Sequence, residues 1–149
     1  SAWQLYNEAK YYIGNGTITL GAGVFKMVLL KSASNTSTFT LSTYAQLTNE
    51  VATAAGYVAG GRALVPATGQ WVQGASAKQQ KFTMSAIGIA FTASGANIAD
   101  IKFAVIRNST GTTAGKLLCW CKLSSSQFTV ATPNTLTVLP AATGIFTLT

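Results

Sequence analysis

From Ile101 to Leu123 the chain reads IKFAVIRNSTGTTAGKLLCWCKL, two alternating runs around a polar gap. With a period of two, Ile101, Phe103 and Val105 share one face, and Lys102, Ala104 and Ile106 the other. On the return run Leu117, Cys119, Cys121 and Leu123 share a face, opposed by Lys116, Leu118, Trp120 and Lys122. The gap from Asn108 to Gly115 holds only Asn, Ser, Thr, Gly and Ala, which predicts a hairpin loop. Both faces of the ribbon are largely apolar, so it belongs in the middle of a packed sheet.

The rest of the pattern is read outward from that ribbon. Trp3, Tyr6 and Lys10, with Leu5 and Ala9, recur at helical spacings, and Gly14-Asn15-Gly16 ends them, which predicts a helix over Ala2 to Ile13. It packs either on its own sheet or, as an aromatic arm, on a neighbour. Beyond Thr17 come a short strand, a Gly-Ala-Gly break read as a turn or bulge, and a stronger strand from Val24 to Leu30. In Leu41 to Ala55, Ser42 and Thr43 can cap a short helix or irregular turn carrying Tyr44, Leu47 and Val51.

Gly56 to Leu64, GYVAGGRAL, predicts tight turns needing positive φ at glycine, or a close approach to a neighbouring subunit through Tyr57 and Arg62. Strands are expected at Trp71-Val72 and at Lys81 to Phe91, the latter broken near Gly88, and then at Phe128 to Val130, Thr135 to Leu139 and Gly144 to Leu148. Short β-branched strands spaced by turn residues predict an all-β fold, an antiparallel β-sandwich or jelly-roll-like barrel. One domain over 1–149 is expected, with 1–14 as its helix or arm.

Composition changes this picture in one respect. Hydrophobic residues make up 48% of the 149 positions and charged residues only 9%, against about 25% charged in typical soluble domains. A surface so poor in charge is suited to being covered by other subunits. The net charge of +7 comes from ten scattered cations against Glu8, Glu50 and Asp100. No basic run interleaved with stacking aromatics appears, which argues against a nucleic-acid partner and leaves an acidic protein partner open. No apolar run approaches the ~20 residues of a membrane span, and SAWQLYNEAK lacks the basic and apolar stretches of a secretion signal.

Candidate chemistry is sparse. The chain has no histidine, so a Ser-His-Asp or Cys-His arrangement within it is excluded. The three carboxylates lie in three different expected elements, and Cys119-Trp120-Cys121 has too short a spacer for a redox motif and too few ligands for zinc. Two reduced core thiols are expected, as in a reducing cytoplasm. Neither catalytic residues nor a cofactor or metal site are expected, and an enzyme is the disfavoured class.

Four motifs occur in order: FKMVLLK, the run NEVATAAGYVAGGRAL, the AVI of the central ribbon and the ending GIFTLT. Together they resemble a group of small β-rich virion proteins of tailed bacteriophages. The similar turn motif is E-V-x-x-x-x-G-Y-x-x-G-G-x-x-L, and its most specific part is the Gly-Tyr/Gly-Gly/Leu element, here Gly56, Tyr57, Gly60, Gly61 and Leu64. The resemblance implies a structural protein of the virion, assembled in the bacterial host cytoplasm. It points to a decoration or cement protein on the outside of the capsid, bound to the major capsid protein or another virion protein. A tail, neck or fibre-base component, or a carbohydrate- or receptor-binding module, is the alternative.

A homo-oligomer, dimer or trimer, is expected with it. From the residues themselves, Trp3, Tyr6, Tyr11, Tyr12, Tyr57, Arg62 and Trp120 are the candidate interface positions, being aromatic or arginine.

Overall fold

The computed structural model describes residues 2–109 and 115–149. The fold is all-β with one short helix. In chain order its elements are β1 (Gln4–Leu5), α1 (Asn7–Gly14), β2 (Phe25–Lys31), a 3₁₀ turn at Tyr44–Gln46, β3 (Arg62–Ala63), β4 (Trp71–Gln73), β5 (Gln80–Phe82), β6 (Ile89–Thr92), β7 (Ile98–Asn108), β8 (Leu117–Lys122), β9 (Phe128–Val130), β10 (Thr135–Val138) and β11 (Phe146–Leu148). The main sheet runs β1-β8-β7-β2-β3, with β9 also paired to β7, and all its pairings are antiparallel. Two smaller antiparallel sheets, β10-β6 and β11-β5-β4, complete a sandwich-like layering.

The expected ribbon is the β7·β8 pair. Its register sets Ile106 opposite Cys119, Ala104 opposite Cys121 and Val105 opposite Trp120. Phe25, Met27 and Leu29 of β2 continue the face of Ile106 and Ala104, and the backbone alternation puts Lys26, Val28 and Leu30 on the other. The first face packs on the three-stranded sheet: Phe25 meets Phe82 edge-on at 5.0 Å between centroids, and Phe82 stacks on Phe146 at 5.3 Å. The second face is covered by the long connection after β2, whose Phe39 lies edge-on to Trp120 at 5.9 Å. Both thiols are buried and unbonded.

Several boundaries differ from the expectation. The helix starts at Asn7 instead of Ala2, because Gln4 and Leu5 pair with Trp120 and Cys119 at the edge of β8. Tyr6 then stays extended, its N–H on the Leu118 carbonyl at 3.2 Å, so an edge ladder outweighs local helix spacing. Thr17–Leu20 forms no strand, although Ile18 and Leu20 are buried. The short helix or irregular turn expected in Leu41 to Ala55 is the 3₁₀ turn at Tyr44–Gln46, where the Gln46 side chain accepts the N–H groups of Ser42 and Thr43 at 2.8 and 3.0 Å. Lys81–Phe91 is two strands in different sheets, divided at Gly88, whose φ is +73°. Residues 110–114 of the expected hairpin loop lie outside the described residues. No helix among the described residues is long and apolar enough to cross a membrane.

Candidate interaction site at the glycine-rich turn

The run from Glu50 to Leu64 folds as a clamp on the edge of β2. At one end of that strand β3 supplies the ladder, through Lys26↔Ala63 and Met27↔Arg62. At the other end residues 49–51 do so, with the Lys31 N–H on Asn49 O at 2.9 Å and the Val51 N–H on Leu29 O at 3.1 Å. Between them the N–H of Leu29 reaches no strand. It donates to the hydroxyl of Tyr57 at 3.1 Å.

Glu50 holds this arrangement together. Its Oε1 accepts the Tyr57 hydroxyl at 2.7 Å and the Gly60 N–H at 2.7 Å, and its Oε2 accepts a short hydrogen bond from the Tyr44 hydroxyl. Arg107 of β7 closes the circuit, donating from Nη2 and Nε to the Gly60 carbonyl at 2.8 and 3.2 Å, with its guanidinium 4.5 Å above the Tyr44 ring. Burial, then the hydrogen bond to Glu50, pushes the Tyr44 hydroxyl up to about 12. The same two causes raise Tyr57 further. Both phenols are therefore neutral donors at physiological pH, and the carboxylate is engaged by three donors.

The glycines are needed where they stand. Gly56 and Gly61 have φ of +86° and +83°, and a Cβ on either would come within 2.3 Å of the Thr92 carbonyl or 2.2 Å of the Met27 carbonyl. Every position of the E-V…G-Y…G-G…L motif thus has work within the chain: Val51 and Leu64 are buried, Tyr57 is 2% exposed, and the turn lies flat on β2.

Beside this clamp a cleft of about 360 Å³ opens between the sheet edge and β6. Tyr57 and Phe91, 5.9 Å apart, form its floor, Lys26 and Arg62 line it, and Val58 stands exposed at its rim. Arg62 reaches across to donate to the Ala90 carbonyl. The cleft offers two cations and an aromatic floor, and its carboxylate neighbour Glu50 is occupied by its own donors. Among the described residues no three potential metal ligands come together.

The seven candidate interface residues do not converge. Tyr57 and Arg62 share the cleft. Tyr6 is fully buried, donating its hydroxyl to the Thr36 carbonyl at 2.9 Å, and Trp120 is 7% exposed between Phe103 and Phe39. Tyr12 is half-buried, and Lys116 sits 4.7 Å over its ring and donates to its hydroxyl at 3.3 Å. Tyr11 is exposed, and Trp3 is partly buried and lines two grooves beside β10 and β11. Three of the seven, Tyr6, Tyr57 and Trp120, are buried, because aromatic side chains serve a core as readily as an interface.

Glu50, Tyr44 and Arg107 were not among those candidates. Glu50 does open the E-V motif, which was the one local signal for it. Set against family models, curated proteins and solved structures, the chain matches none of them.

Proposed function

We propose that this chain is a structural protein of a tailed-phage virion, a decoration or cement protein that binds the outer capsid surface and stabilises it. The observation that carries the proposal is the imbalance of charge on the outside. Ten cations face three carboxylates, and one of those, Glu50, is turned inward onto Tyr44, Tyr57 and Gly60. The surface left is short of charge yet distinctly basic, with Ile87, Val58 and Leu139 standing well out of it. Such a surface complements an acidic lattice, and many weak copies acting together give firm attachment. The motif order that resembles small virion proteins supports the same reading, as does a network whose polar groups are occupied in holding the fold.

The test is quantitative mass spectrometry and imaging of purified particles of the phage that encodes the chain. A cement protein is present in copy numbers comparable to the major capsid protein, and particles lacking it fail at lower temperature or milder osmotic shock. A handful of copies per particle would move it to the tail, neck or fibre base. Saturable binding of host glycans by the isolated protein, with no binding to capsids, would make it a receptor-binding module instead.

A further inference from the structure

A second cleft, of about 300 Å³, lies on the far side of the main sheet from the Phe25–Phe82 contact, between β1, the connection after β2, and the ends of β7 and β8. Lys102 and Lys122 line it together with Gln4, Ser37, Phe103 and Trp120. The ladder pairs Phe103 with Lys122, and the Lys102 ammonium lies 5.8 Å from the centre of the Phe103 ring. The aromatic wall is fixed: Trp120 contacts Phe103 at 6.1 Å and Phe39 at 5.9 Å, both edge-on.

Within that wall the Trp120 indole Nε1–H is buried without an acceptor, one of two such side-chain atoms among the described residues. A buried donor left unanswered costs about 1–3 kcal/mol, so Trp120 is held here by its packing against Phe103 and Phe39. The cleft is lined by two lysines, a glutamine and a serine, with no carboxylate among its lining residues. Its aromatic rings are 7% and 8% exposed, too covered to stack on a sugar face.

We infer that this cleft seats a carboxylate side chain presented by an acidic segment of the partner protein. The inference rests on the preceding proposal in taking the partner to be a protein with an acidic surface. Lys102 and Lys122 supply the charge, and Gln4 and Ser37 the neutral hydrogen bonds, beside the wall that holds Trp120. Most of the attraction is between partly exposed charges, so binding weakens as salt rises.

The test is a titration of the ¹⁵N-labelled protein with a glutamate-rich peptide, a glutamine-rich peptide of equal length, and glucuronate. The Trp120 indole N–H and the backbone signals of Lys102 and Lys122 are expected to shift saturably with the glutamate peptide alone. Lys102→Gln/Lys122→Gln should weaken that binding at least roughly tenfold, while Lys10→Gln/Lys78→Gln leaves it unchanged. An unmoved Trp120 signal, equal binding by both double variants, or saturation by glucuronate alone would each overturn the assignment. The same variants added to stripped particles separate the two proposals. If the wild type and Lys102→Gln/Lys122→Gln coat particles equally, the cleft assignment fails and the virion reading stands. If the wild type takes the peptide but never coats particles, the cleft stands and the virion reading fails.

Discussion

The hydroxyl of Tyr57 accepts the N–H of Leu29 at 3.1 Å, at the point on the β2 edge where no neighbouring strand is present. A side chain here takes the place of a strand, and Glu50 fixes that side chain by accepting its proton at 2.7 Å. Tyr57→Phe keeps the ring on Phe91 but leaves the Leu29 N–H unanswered and takes one of the two donors from Glu50 Oε1. The expected loss is about 1–3 kcal/mol, read as a lower urea midpoint and a fall of roughly 2–4 °C in Tm per kcal/mol. Unchanged stability would mean that Leu29 does not depend on the hydroxyl.

Alkaline pH should unfold the protein from one direction only. Burial pushes the Cys121 thiol from its ordinary 9.0 up to about 12, and Tyr44 rises from 10.0 to about 12. Cys119 and Tyr57 are raised as well, by burial first. The folded state therefore holds protons that the unfolded state has already released, so these groups contribute fully below pH about 9 and their contribution is lost as pH climbs towards 12. Urea midpoints should be level from pH 7 to about 9 and fall steadily above it. Tyr57→Phe should fall less steeply beyond pH about 10.

The two thiols should be silent while the protein is folded. Cys119 is fully buried and Cys121 3% exposed, and only the thiolate reacts. A thiol reagent at neutral pH should modify neither until denaturant is added, and then both. Fast modification of the folded protein would contradict their place in the core.

Glycine substitutions should divide by what surrounds them. Gly61→Ala puts a Cβ 2.2 Å from the Met27 carbonyl at a φ of +83°, a strain of about 1–3 kcal/mol or more that also pushes the turn off β2. Gly14→Ala, at the end of α1 with nothing within 4 Å of its Cβ, should be neutral or stabilising by about 0.4–1 kcal/mol. Thermal melts of the two variants decide it.

Period-two alternation made the β7·β8 ribbon legible from the chain alone, down to the face shared by Cys119 and Cys121, because both runs are long and bounded by turn residues. The turn at Gly56–Gly61 was legible for a similar reason: its glycines need positive φ. The N-terminal helix was misjudged at its start because the competing force, the exposed edge of β8, comes from residues more than a hundred positions away. Thr17–Leu20 has strand-like residues but gains no ladder partner. The Glu50 network was hidden because Tyr44, Tyr57, Gly60 and Arg107 converge on it from separate elements, and hydrogen bonding across elements leaves no period in a sequence.

The pairing of β2 with β7, Val28 opposite Val105, bears on how the chain is made. On the ribosome the segment FKMVLLK emerges well before its principal partner, since Val105 follows Val28 by 77 residues (105 − 28). Until then one edge of an apolar strand stays open, the other being covered by residues 49–63. The open β2 edge is thus a site for wrong pairing until β7 is made.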